Sequence, residues 1–507
     1  MPSMKFIFIL SLIILFGFTI RIIPLFDNNF YFTIDQGYDA VNAREIFSRG
    51  QILIRGPETS IHGLFAGPLW FYFLALGLFL FSGHPAGGVI ILIILNLFLT
   101  TLIILVIKKE ISSTLSLFVG LFLQIYWYFY DTSRYAFNPF PLVFITFCII
   151  FFLQKALKGQ QKFFLFAAVF VGLSFHFEIA FAIVLALLYV AIGLFLYLKK
   201  HLSFTKILLG LAIIFIFLLP NIYVDLTSST SEFEVFKAQL QEKDTVFLGN
   251  SFIPVLSKMA YIIGRSAIPQ NYYFGLAICS ITVFLFWKTN PRRKHLFIYH
   301  LFILSGLLLM ISILFFGTNK GWNEWRMVGI PILLFFTLLL IISTISSRYK
   351  LFLYSIVFLA HSFFFITRYT EYLKPQNDSS MLNNQLSTID WIYSSAHGEG
   401  FSVYIQLTAV YDYTYQYLIW WRGLNKYGYL PCEYSTYPDS PEDIIIPGWK
   451  YYQSPHKCSS LRYLIIAPDK TFAPDQNWIT GTTRSTKLLD SHKIGRINIE
   501  KRELLSR

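Results

Sequence analysis

Long apolar runs recur near 5–20, 87–107, 112–130, 139–154, 163–178, 180–198, 206–222, 272–287, 296–316, 327–344 and 350–367. Each is close to the length a helix needs to cross the hydrocarbon core of a bilayer. They are continuous rather than alternating, which predicts α-helical spans and not the strands of a membrane barrel. Two further runs, near 66–82 and 252–267, are ambiguous. The pattern changes after Tyr369, for residues 371–507 are polar, with Pro, Asp, Ser and Tyr, and hold no spanning run. Local periodicity there predicts a helix near 380–396, a strand near 401–407, an aromatic helix near 411–422 and strands near 462–467, 484–490 and 495–501. The expected fold class is an all-α polytopic membrane protein over residues 1–370, followed by a small α/β domain over 371–507.

Composition agrees. Of 507 residues, 55% are hydrophobic and only 14% charged, against roughly 25% charged in a soluble globular chain. A chain this apolar is not disordered. The formal charge of +13 belongs to breaks between runs, not to a nucleic-acid-binding face. The basic breaks hold Lys108 and Lys109; Lys155, Lys158 and Lys162; Lys199, Lys200 and Lys206; Lys288, Arg292, Arg293 and Lys294; and Arg348 and Lys350. The positive-inside rule places them in the cytoplasm with Lys5. The other breaks carry nearly all carboxylates before the tail and face outward. Parity then gives eleven spans, with 66–82 an outer-leaflet or re-entrant helix and 252–267, which carries Lys258 and Arg265, a surface helix. Thirteen spans with a local breach of the charge rule is the alternative. The N-terminus is cytoplasmic and the C-terminal domain extracytoplasmic. No small-residue cleavage site follows the first run, which reads as an anchor. Cys432 and Cys458 would lie in an oxidising compartment, as a disulfide or as two thiols.

Candidate chemistry concentrates in the outer loops. From Asp39 to Phe47 the spacing suits a short amphipathic helix ending at Gly50, with Ala40, Ala43 and Phe47 toward the membrane and Asp39 and Arg44 away from it. Asp35 stands near its N-cap. It is either a capping group or a carboxylate held at the bilayer edge, able to take a proton from a hydroxyl. Asp39 supports that site or a metal, or is a solvated charge. His62 follows a Gly-Pro turn and is a phosphate ligand, a tuner of the base, or incidental. In the second outer loop Arg134 offers a planar fork to phosphate or anchors the interface. His176 and Glu178 lie at the outer end of a span, where ionisable groups are costly unless they face a cavity. The last outer loop adds Lys320 and Arg326. No P-loop, zinc-ligand spacing or Ser-His-Asp arrangement is present.

These motifs, in this order, resemble the integral-membrane glycosyltransferases of the GT-C fold, the group of aminoarabinose transferases, protein O-mannosyltransferases and the RgtA/B/C/D-like domain. The resemblance covers roughly residues 5–370. Asp35-Gln36-Gly37-Tyr38 with Arg44-Glu45-Ile46 resembles the family's acidic first-loop motif, Gln36 standing where a second acid is usual. Gly67-Pro68-Leu69-Trp70-Phe71-Tyr72 is similar to its Pro-Pro-Leu-Gly-Tyr-Trp-type stretch. Ser133-Arg134 before Asn138-Pro139, with Asp131 nearby, resembles its second loop, and Arg326 to Pro331 its final signature. The resemblance implies a polyprenyl-phosphate-sugar donor, an acceptor hydroxyl on a glycan, lipid or protein, Asp35 as base, and inversion. Substrate-binding candidates are Asp39, Arg44, Glu45, His62, Asp131, Arg134, Asn138, His176, Glu178, Lys320 and Arg326. No cofactor is certain and a divalent metal is left open. Membrane lipids are the other partners.

Two other functions compete. A transporter or flippase of lipid-linked sugars would need ionisable groups near the bilayer midplane, and the chain shows no internal repeat of the kind such architectures use. A non-catalytic scaffold would use Tyr411, Tyr413, Tyr415, Tyr417, Trp420 and Trp421 to stack on sugars, although these aromatics also suit a core.

Overall fold

The computed structural model describes residues 3–59, 63–227, 231–241, 252–316, 324–407, 412–438, 452, 458–468 and 474–505. Every one of the eleven apolar runs forms helix. Six of these helices are long and apolar enough to cross a membrane: Met4–Phe26, Ala86–Glu110, Ile179–Leu198, Phe204–Thr227, Leu296–Phe316 and Arg348–Leu373. Four more, Ser113–Ile125, Leu142–Leu157, Lys162–Ser174 and Gly329–Ser343, are apolar but shorter. The eleventh, Tyr272–Lys288, is joined to the segment Leu256–Ala267 through a bend of 85°. The ambiguous run at 252–267 is thus a helix lying across its neighbour, and its Lys258 and Arg265 need not cross the bilayer. The other ambiguous run is the helix Leu69–Leu80. Its 12 residues span about 18 Å at 1.5 Å per residue, short of the roughly 30 Å hydrocarbon core.

The C-terminal domain is built on five strands: β1 (Ser402–Gln406), β2 (Glu433–Ser435), β3 (Leu461–Ile466), β4 (Thr486–Ile494) and β5 (Ile497–Leu504), in the order β2-β1-β3-β5-β4. β1 is parallel to both β2 and β3, while β3–β5 and β5–β4 are antiparallel. The apolar β1 and β3 are buried at the centre. β4 is mostly exposed at the edge and carries Lys487, His492 and Lys493, the kind of charged edge that discourages further strand pairing. Helices Leu382–Ala396 and Tyr413–Arg422 fall where periodicity predicts them. β2 and the helix Gln476–Thr483 were not foreseen. Cys432 and Cys458 are joined by a disulfide, Cα–Cα 5.4 Å, which settles the choice the sequence left open.

The tail is tied to the loop after the first apolar helix by main-chain hydrogen bonds. Phe32 N–H donates to Ser380 O at 2.8 Å and Leu382 N–H to Phe30 O at 3.0 Å. Among the tail aromatics, Tyr415, Tyr417, Trp420 and Trp421 are buried. Tyr417 OH donates to Gly83 O at 2.7 Å and Trp421 Nε1 to Ser82 O at 3.0 Å. They grip the turn after Leu69–Leu80 and are not free to stack on sugars. Tyr411 lies outside the described residues.

Candidate functional site

The first-loop helix is longer than its periodicity predicts, Ile34–Arg49 rather than Asp39–Phe47, and it ends at Gly50 in the left-handed region, φ 66°. Thr33 is its N-cap, with Thr33 N–H donating to Gln36 Oε1 at 2.6 Å. Gln36 therefore serves the helix start, in the manner of a capping box. This relieves Asp35 of the capping role. Asp35 sits in the first turn, where the helix dipole favours a negative charge.

Asp35 opens into a cavity of about 740 Å³, whose lining includes Asp39, Glu58, Asn138, Glu178, Tyr38 and Tyr413. The carboxylate is reached by water yet enclosed by protein, and that partial desolvation raises its pKa. Asp39, one turn on, is 3% exposed and accepts from Trp70 Nε1 at 2.7 Å. Burial holds its carboxyl well above the ordinary range, and the neighbouring Asp35 pushes the same way. Asp35 is the less enclosed of the two and ionises first, while Asp39 retains its proton for longer. Of the alternatives the sequence leaves open for Asp39, its burial excludes a solvated surface charge.

A second cavity of about 660 Å³ adjoins the first, and the two share Tyr31, Arg134, Tyr135 and Trp325. Its lining adds Asp131, Arg265, Arg368, Trp127, Tyr128 and Phe364. Arg134 thus stands on the partition. Its Nε lies 2.8 Å from Asp131 Oδ1, and its guanidinium lies 4.6 Å from the Tyr372 ring. Arg265 Nη1 donates to Tyr261 OH at 2.5 Å. This chamber combines three guanidinium groups, two of them paired with the carboxylates of Asp131 and Glu371, with an aromatic and aliphatic wall; the excess of cations over anions suits an anion attached to a hydrocarbon.

The predicted site residues divide. Asp35, Asp39, Arg134, Asn138 and Glu178 converge on the first cavity, and Asp131 and Arg134 on the second. Asn138 Nδ2 donates to Phe177 O at 2.6 Å, and Glu178 caps the next helix by accepting from Phe181 N–H at 2.6 Å. His176 does not line either cavity; it is buried behind Gly67, close enough that a Cβ there would collide with its ring. Arg44 and Glu45 are also removed from both. Arg44 is fully buried, 3.3 Å from Glu45, with its guanidinium 3.7 Å from the Tyr452 ring and 5.3 Å from that of Trp420. Glu45 is held a second time by Arg49 at 2.7 Å. The pair fastens the C-terminal domain. His62, Lys320 and the side chain of Arg326 lie outside the described residues. Glu58, Tyr413, Arg265 and Arg368 were not foreseen as site residues, although Arg265 had stood out as a cation in an apolar run. Among the described residues, no three His, Cys, Asp or Glu side chains are grouped to hold a metal.

No family model matches the chain, and no curated protein matches its sequence. Solved structures do match in fold. ArnT from Cupriavidus metallidurans bound to undecaprenyl phosphate superposes with a TM-score of 0.56 at 12% identity, covering 97% of each chain. The apo state of the same protein gives 0.56 at 11%, again covering 97% of each. The chain therefore shares the fold of these structures, the GT-C fold, over 97% of its length.

Proposed function

We propose that this protein is a membrane glycosyltransferase that moves a sugar from a polyprenyl-phosphate donor to an acceptor hydroxyl at the outer face of the membrane. The observation that carries the reading is the junction of the two cavities: Asp35, a carboxylate with no ion-pair or hydrogen-bond partner among the described residues, on one side, and Arg134 on the partition with Arg265 and Arg368 beyond it. The donor's phosphate rests on the guanidinium groups while its lipid tail stays in the bilayer. Asp35 takes the acceptor proton, the acceptor oxygen forms its bond to the anomeric carbon, and the bond from that carbon to the phosphate oxygen breaks. The arginines stabilise the departing lipid phosphate. Attack opposite the leaving group inverts the anomeric centre. Undecaprenyl phosphate, bound by ArnT, is a lipid of the proposed class.

The proposed topology has eleven spans, a cytoplasmic N-terminus, a transferase domain over 1–370 and an extracytoplasmic domain over 371–507. The Cys432–Cys458 disulfide supports the outward placement of the tail. The transporter reading is weakened by the fate of a cation within the first span. Arg21 is buried and donates to Ser133, Gly17 O and Gln124, so it is committed to protein partners.

The test is transfer of radiolabelled sugar from a polyprenyl-phosphate donor by the purified protein. Asp35→Asn should reduce product by about 10²- to 10⁴-fold while leaving the protein inserted and monodisperse. Full activity in that variant would remove Asp35 as base. Movement of the labelled lipid across sealed vesicles without a glycosylated product would favour the flippase reading instead.

A further inference from the structure

A third cavity, of about 200 Å³, lies far from the outer loops among the helices Ala86–Glu110, Leu142–Leu157, Leu296–Phe316 and Gly329–Ser343. Its wall is hydrocarbon and aromatic ring, with Ile103, Val106, Phe151 and Phe297 as examples, apart from the Cys148 thiol and one carboxamide residue. Gln154 lines it, is only 1% exposed, and has no hydrogen-bond partner for either carboxamide atom. A buried carboxamide is normally satisfied, because leaving it unpaired in an apolar surround is costly. Immediately beyond Gln154 the helix turns basic. Lys155 Nζ lies 4.4 Å from the Phe151 ring centroid, and Lys158 Nζ lies 5.3 Å from that of Phe297. Both rings belong to the cavity wall. Lys158 also meets Glu110 at 2.7 Å, and Lys109 and Lys162 add to the positive field at Lys155. The groups therefore follow a sequence: apolar slot, carboxamide, ammonium cluster. A glycerophospholipid presents the matching sequence of acyl chain, ester carbonyl and phosphate.

We propose that this slot binds an anionic glycerophospholipid from the leaflet at the lysine-bearing end of the bundle. One acyl chain enters the cavity, the Gln154 amide N–H donates to its ester carbonyl, and Lys155 and Lys158 hold the phosphate. The excess of cations over the single Glu110 selects an anionic headgroup over a zwitterionic one. The proposal requires no sugar chemistry and stands apart from the transferase reading.

The full chain in detergent is titrated with phosphatidylglycerol and, separately, with phosphatidylcholine of the same acyl chains, and bound lipid is counted by native mass spectrometry. Phosphatidylglycerol should bind at least tenfold more tightly. The double variant Lys155→Gln/Lys158→Gln should lose that preference, and Gln154→Leu should weaken both lipids alike. The lysine substitutions lie at the surface end of the helix, so they test the idea even if Gln154→Leu yields no folded protein. Their thermal melting should match that of the parent. Equal binding of the two lipids by the parent protein, or an undiminished preference in the double lysine variant, would overturn the proposal.

Discussion

Two carboxylates on one helix, Asp35 and Glu45, have opposite surroundings. Asp35 belongs to the first turn, faces a cavity and has a pKa raised by enclosure. Glu45 is 1% exposed and neutralised by Arg44 and Arg49. One end of the helix is thus open for chemistry and the other is closed under the C-terminal domain. A motif that spans both ends mixes the proposed base with a fastening. Proximity in sequence does not make its members partners.

Substitution separates the two ends. Asp35→Asn should reduce transfer by about 10²- to 10⁴-fold, the range of a lost general base, with little change in thermal unfolding. Arg44→Ala should do the reverse. Removing one member of a buried pair typically costs about 3–5 kcal/mol, so the melting temperature and yield of the full chain should fall sharply, and activity should be lost only in proportion to folded protein. A stable Arg44→Ala variant with no transfer would place Arg44 in the site after all. Gly37→Ala probes the seam between the two ends, because a Cβ there would collide with the Thr414 backbone. Overpacking of this kind costs about 1–3 kcal/mol, and hydrogen exchange should show the helix Tyr413–Arg422 loosened first.

The smallest effects are those of pH. Partial desolvation raises the Asp35 pKa, and the proposed base would work only when ionised. Transfer should therefore fall on the acid side, with a midpoint above the value of about 4 for an unperturbed aspartate. An acid limb at or below pH 4 would argue that another group sets the profile. Asp412, 2% exposed at the head of the helix Tyr413–Arg422, accepts from Gln416 Nε2 at 2.9 Å, and burial raises its pKa to about 7. Its folded value exceeds the unfolded one of about 3.9, so the folded state holds a proton that the unfolded state releases. Its contribution is complete below about pH 4 and is lost as pH rises through 7. Protection of the helix against exchange should weaken as pH rises from about 4 to about 7 and level off above that, and Asp412→Asn should flatten that slope.

The helices were legible because membrane spans are written as local runs, and the tail's long elements because their periodicity is local too. β2, three residues long, leaves no periodic trace. Asp35 was found from its loop and its charge. Its identity as the free carboxylate was not, since only the structure assigns the helix start to Thr33 and Gln36. Tyr413 and Arg265 were missed for a different reason. The first meets Tyr38 at 5.1 Å across most of the chain length, and the second enters the chamber only because its helix bends by 85° from the next. Neither fact is encoded in spacing. The burial of Asp39 and Arg44 was not legible, because the helix is covered on one side by the bundle and on the other by a domain distant in sequence.

Tyr413 also sets an order of events during synthesis. The wall facing Asp35 is completed by a residue translated long after the helix that bears the acid. A chain still emerging from the ribosome, even with every span inserted, has an open trough where the finished protein has a chamber. Loss of the last quarter of the reading frame would leave a membrane-embedded product in which Asp35, the proposed base, lacks that wall.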